Sequence, residues 1–106
     1  MPKFLVNAKY TSEGTAGLLK SSATARREAV EQLMGSLGGT LETFYFTFGS
    51  EDAVIIVDLP NTEAALSVAF AVRASGMVSS TTTPLITVDE ADRAIRHHAN
   101  YRAPGA

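Results

Sequence analysis

Apolar positions along this chain switch between a strand-like and a helix-like spacing, and the switches mark its elements. Lys3 to Tyr10 is a short apolar-rich run followed by Thr11-Ser12-Glu13-Gly14, a turn or helix-start signal, so a first strand is predicted there. A helical region follows, with a break near Ser21-Ser22. In its second part, Ser22 to Leu37, the residues Ala23, Val30, Leu33 and Leu37, with Met34 beside them, form one buried face at helical spacing. Ser22 or Thr24 can cap its start, and Gly38-Gly39 ends it, because glycine accepts the left-handed conformation without a Cβ clash. Thr40 to Phe48 and Ala53 to Leu59 read as two strands of a hairpin joined at Gly49-Ser50-Glu51-Asp52. Pro60-Asn61 breaks the chain and offers a cap to a helix over Thr62 to Ala74, which Ser75-Gly76 closes. Met77 to Val88 is a threonine-rich strand, and Pro84 inside it argues for an edge or a bulge. Thr87-Val88-Asp89-Glu90 fits a capping box for a last helix reaching about Ala99, ahead of an irregular tail, residues 100–106.

The order is β-α-β-β-α-β plus an extra C-terminal helix: an α+β, ferredoxin-like plan. One four-stranded antiparallel sheet carries its two main helices on one face, as a single domain over residues 1–99. Helices then cover only one side. Yet the third strand is apolar both ways, with Ala53, Ile55, Val57 and Leu59 against Val54 and Ile56. The second places Leu41 and Tyr45 on one face and Phe44, Phe46 and Phe48 on the other. A half-solvated sheet alternates cleanly, so a second copy of the chain is expected over the far face. The helix over 62–74 points the same way: between Ala64 and Val72 only Ser67 is polar, so burial nearly all round is predicted.

Composition narrows the partners. A length of 106 residues suits one domain, and a formal net charge of −2 gives no attraction for phosphate backbones; no basic cluster exceeds Arg26-Arg27, so no nucleic acid is expected. No run approaches the roughly 18 apolar residues of a membrane span, and the first apolar run is too short for a signal peptide, so the expected location is cytoplasmic, with no membrane partner. There is no cysteine, which removes thiolate and disulfide chemistry.

No phosphate-loop, dinucleotide, nucleophile-elbow or metal-spaced motif occurs, so neither a metal nor any other cofactor is expected. His97-His98 are adjacent, about 100° apart on a helix, and cannot grip one metal. Arg26 lies on the buried stripe near a helix start, where an unpaired charge is costly. It calls either for a structural salt bridge or for an anion bound in a pocket. Arg27 is set to pair with Glu31 at i+4. Tyr45 and Thr47 share one face of the second strand, and Asn7 and Lys9 one face of the first, a polar pair in a strand expected to be central. Tyr45 and Asp52 are the catalytic candidates; for Asp52 the alternative is a turn aspartate bonded to nearby backbone.

The chain also resembles the GYD domain family. Phe4, Val6, Lys9-Tyr10-Thr11 with Glu13-Gly14, Arg26-Arg27-Glu28, Gly38-Gly39, Leu41, Phe44 to Gly49, Asp52, Pro60-Asn61 with Glu63-Ala64-Ala65, and residues 76–85 carry the likeness, over about residues 3–95. Of the naming Gly-x-Tyr-Asp pattern, Gly49 and Asp52 remain, while Glu51 stands at the tyrosine. The resemblance implies a ferredoxin-like fold of the dimeric α/β-barrel kind, in which two sheets pack face to face. It implies little about activity. The expected function is a homo-oligomeric module binding a small aromatic or anionic metabolite, with Arg26, Lys9, Asn7, Tyr45 and Thr47 as polar anchors between sheet and helices. Two alternatives stand beside it: a cofactor-independent monooxygenase or isomerase, and a purely structural or regulatory assembly unit.

Overall fold

A computed structural model describes residues 1–106. The elements are β1 (Lys3–Tyr10), α1 (Ser12–Lys20), α2 (Ala23–Ser36), β2 (Thr40–Phe46), β3 (Ala53–Asp58), α3 (Thr62–Ala74), β4 (Val78–Leu85) and α4 (Val88–Ile95). All strand pairs are antiparallel in the order β2-β3-β1-β4, the ferredoxin-like arrangement. Pro84 accordingly lies on an edge strand. No helix is long and apolar enough to cross a membrane.

Local chemistry sets the boundaries. Thr11, Ser22, Asn61 and Thr87 each accept a backbone N–H in the first turn of the helix they precede. Thr87 and Glu90 form the reciprocal capping box, and the Thr87 bonds hold the Glu90 carboxyl below the ordinary carboxylate range. Helix α2 ends when Gly38 turns to φ 78°; the N–H of Gly39 then reaches the Met34 carbonyl at 2.9 Å and that of Gly38 the Gly35 carbonyl at 3.1 Å. β2 stops two residues before the expected Phe48. Thr47 turns its N–H to the Asp52 carbonyl and its hydroxyl to the Glu51 carbonyl, each at 2.8 Å, which closes the hairpin. α4 ends at Ile95 rather than near Ala99.

The core lies between the sheet and α2 and α3. Phe4 and Val6 of β1 and Ile55, Val57 and Leu59 of β3 and its exit meet Val30 and Met34 of α2 and Ala64, Ala65 and Val68 of α3. Register shows a side error in the sequence pattern. Glu42 is an extra residue in β2, because Leu41 pairs with Val57 but Thr43 with Ile56. The bulge moves Leu41 to the helix side with Phe44, leaving Tyr45 and Thr43 on the open face with Val54 and Ile56. The open face is therefore less apolar than the alternation predicted, because it loses Leu41: Leu5, Val54, Ile56 and Tyr45 form its apolar part, and Ser79, Thr81 and Thr83 line its β4 side. Helix α3 departs from expectation too. Its inner face is buried, but Leu66 and Phe70 are 51% and 59% exposed.

At one end of the open face Lys3 donates to Glu42 at 3.0 Å and to both oxygens of Asp58, at 3.1 and 3.0 Å. The bond to Glu42, then that to Asp58, raises the Lys3 ammonium above the ordinary lysine value of 10.5. A raised folded value means that this contribution is complete below 10.5 and disappears as pH climbs through the folded value. The expected result is that the Tm difference between the parent chain and Lys3→Met, measured by scanning fluorimetry, is flat through neutrality and shrinks in the alkaline range.

Candidate functional site

The site grows from the joint between α1 and α2. Thr11 anchors α1 to the turn before β4: its N–H bonds the Met77 carbonyl at 2.9 Å, and its hydroxyl lies 3.2 Å from the Gly76 carbonyl oxygen. Gly14 lets the helix sit directly on that turn, since a Cβ here would collide with the Met77 carbonyl oxygen. The α1–α2 break at Ser21-Ser22 then swings α2 away and leaves a cavity of about 300 Å3 between the two helices and the start of β4. Leu18, Ala25, Ala29, Met77 and Val78 supply its apolar wall. A neighbouring cavity of about 260 Å3 lies between α2 and the C-terminal end of α3, walled by Leu33, Ala71 and Val72.

Arg26 lines both cavities. Its guanidinium carbon sits 5.7 Å from the centroid of the Tyr10 ring, a cation–π contact that occupies one face of the guanidinium. Its Nε is buried and has no hydrogen-bond partner, and no carboxylate lies within ion-pair distance; the chain's ion pairs are Lys3 with Glu42 and Asp58, and Arg27 with Glu31 at 3.6 Å. Of the two readings of Arg26, the internal salt bridge is thus missing. What remains is one buried donor, Nε, without a partner on a half-buried guanidinium side chain, beside a cavity that Glu13 and Ser21 also line; an in-plane anion is one group such a donor can meet.

The other sequence candidates do not join it. Asn7 and Lys9 lie on the opposite side of the sheet, around a shallow polar depression with Glu51, Ser79 and Thr81. Tyr45 is on that same side, 68% exposed, paired with Val54. Thr47 is spent on the hairpin turn. The anchor set expected between sheet and helices is divided by the sheet, and only Arg26 is on the helix side. Asp52 is a tie: its carboxylate accepts the Tyr10 N–H at 2.8 Å and its own N–H reaches the Ala8 carbonyl at 2.9 Å, so β1 and β3 are clamped beyond the last ladder pair. That binds backbone across the sheet, where local turn bonding was the expectation. His97 and His98 follow α4 and are exposed. The residue overlooked in the sequence was Tyr10. Its position, two beyond Ala8 in the Phe4-Val6-Ala8 alternation, already put it on the helix side.

The sequence profile named GYD domain matches residues 4–95. The chain belongs to the GYD domain family. No curated protein matches it. Among solved structures, the crystal structure of MtbAldR superposes with a TM-score of 0.61 at 18% identity, over 81% of this chain and 52% of that one. This chain therefore spans about half the length of that protein, and the likeness is one of fold. In this GYD domain the hairpin turn that bears the family pattern, Gly49 to Asp52 with Glu51 in the tyrosine position, lies at the β3 end of the β1–β3 clamp, and Asp52 supplies the clamp.

Removing the close approach at Gly14 tests how the cavity is built. Gly14→Ala must lift α1 off the Met77 carbonyl, and the expected outcome is a loss of about 1–3 kcal/mol in urea unfolding, with faster hydrogen exchange in residues 11–20. Unchanged exchange there would mean that α1 does not depend on this seat.

Proposed function

We propose that this GYD domain is a homodimeric module that binds a small anionic metabolite, a carboxylate above all, in the cavity beside Arg26. The observation that carries the reading is the buried Arg26 Nε with no partner. An unmet charged donor costs a folded protein free energy, and such costs are kept where a ligand relieves them. Because Tyr10 takes the guanidinium face, the N–H edge is left for a ligand lying in the guanidinium plane. The apolar wall of Leu18, Ala25, Ala29 and Met77 suits a short hydrocarbon or ring behind the carboxylate, and about 300 Å3 is at the small end of ligand cavities.

Dimerisation rests on the open face of the sheet. Leu5, Val54 and Ile56 are only partly covered within one chain and sit with Tyr45 as a continuous patch on β1, β3 and β2. Face-to-face packing with a second copy covers this patch twice through one symmetric contact. The test of the ligand reading is a thermal-shift series of small monocarboxylates with apolar tails, run beside their amides and alcohols. Carboxylates are expected to raise Tm and the neutral analogues are not; equal responses from acid and amide would remove Arg26 from the reading.

A further inference from the structure

Two apolar stripes of this chain face water, and they match each other. The first is the outer side of α3, where Glu63, Leu66, Phe70 and Arg73 recur at three- and four-residue steps, with the acid at the N-terminal end and the base at the C-terminal end. The second is α4, no residue of which is buried: Val88 and Ile95 are 78% and 71% exposed and align with Ala91 on one side. Asp89 and Asp92 flank its first half and Arg96 caps its end. The α4 stripe is the shorter, and the reach of the Arg96 and Arg73 side chains makes up the difference. At 1.5 Å per residue, Val88 to Ile95 spans about 10 Å, against about 15 Å from Glu63 to Arg73.

We propose that α4 of one protomer docks antiparallel onto the Leu66–Phe70 stripe of α3 in a second copy of the chain. Charge selects the direction. Antiparallel, Asp89 and Asp92 approach Arg73 while Arg96 approaches Glu63; parallel, acid meets acid and base meets base. Ala91 is the small residue between Val88 and Ile95, and it leaves the hole that a bulky Phe70 requires. The chain's own α3 is a poor host. Only Ile86 and Thr87 separate β4 from α4, and Thr87 is fixed by the capping box, so there is little slack to fold back. The shape agrees. The radius of gyration is 17.0 Å and the long axis 57 Å, where a compact chain of this length has about 13 Å. Residues 88–106 are exposed throughout, so the C-terminal arm is free to meet a neighbour. This contact uses the outer helical surface and is separate from the sheet face of the proposed dimer.

The absence of cysteine makes the test clean. Chains carrying only Ser67→Cys, beside the stripe and leaving Phe70 in place, are mixed with chains carrying only Ala91→Cys, refolded together and treated with a short bis-maleimide. Both positions are exposed, so both variants should fold. The expected product is a mixed crosslinked pair at twice 11.2 kDa, in excess over either self-pair, and lost when Ile95→Glu is added to the Ala91→Cys chain. A Ser67→Cys, Ala91→Cys double variant that closes only within one chain, with no mixed pair, would overturn the proposal in favour of fold-back. A mixed pair whose yield ignores Ile95→Glu would overturn it as well, by marking the link as collisional.

Discussion

Ile56→Glu is expected to convert the proposed dimer to single subunits while leaving the protomer folded. Ile56 is on the open side of β3, next to Thr43 on β2 and Leu5 on β1, and its neighbours in sequence, Ile55 and Val57, point into the core and are untouched. In a symmetric face-to-face pair each substitution is present twice. Each Ile56 is already partly covered within its own protomer, so the lost burial of two amounts to about 1–2 kcal/mol, and the penalty for confining two glutamates in an apolar contact carries the rest, a weakening of roughly 10^2-fold or more. Sedimentation equilibrium should report a monomer for the variant at concentrations where the parent is paired, with an unchanged far-ultraviolet spectrum. Ser79 and Thr81, on the polar β4 side of the same face, are the controls: aspartate at either should have a much smaller effect. A parent chain that is already monomeric at high concentration defeats the dimer outright.

What the sequence disclosed and what it hid follow a physical line. Elements defined by short-range chemistry were legible: the caps at Ser22, Asn61 and Thr87, the Gly38-Gly39 stop and the Arg27–Glu31 pair all depend on residues within five positions of each other. Strand order followed from the β-α-β-β-α-β sequence of those elements. Sidedness did not survive where register intervened. Pure alternation assigns Leu41 to the face of Tyr45, and the single extra residue at Glu42 reverses it. The same limit broke up the candidate site. Asn7, Lys9 and Tyr45 are polar or amphipathic residues in strands, and their type carries no sign of which side of the sheet they serve. Arg26 could be placed because a helix stripe, unlike a strand face, is set by its own neighbours. Its lack of an acid partner could not be, since that is decided by every element packed around it.

Arg26→Met should abolish carboxylate binding and leave the fold as stable as before, or more so. The methionine keeps the volume and the apolar reach of the arginine stem among Ala29, Val30 and Val78. Two effects oppose each other in stability. Loss of the cation–π contact with Tyr10 costs about 0.5–1 kcal/mol. Removal of a buried donor that has no partner returns about 1–3 kcal/mol, so the balance is neutral to favourable. In binding both changes point one way, because the in-plane pair of N–H groups is gone, and affinity should fall about 10^2-fold or more. Arg26→Lys separates charge from geometry: it keeps the positive charge but has no planar fork, so it should retain weak binding, intermediate between parent and methionine variant. Paired urea-unfolding and carboxylate thermal-shift measurements on the three proteins decide the matter. If Arg26→Met loses several kcal/mol of stability, the guanidinium is a structural strut whose partner is internal, and the cavity beside it has no claim to an anion.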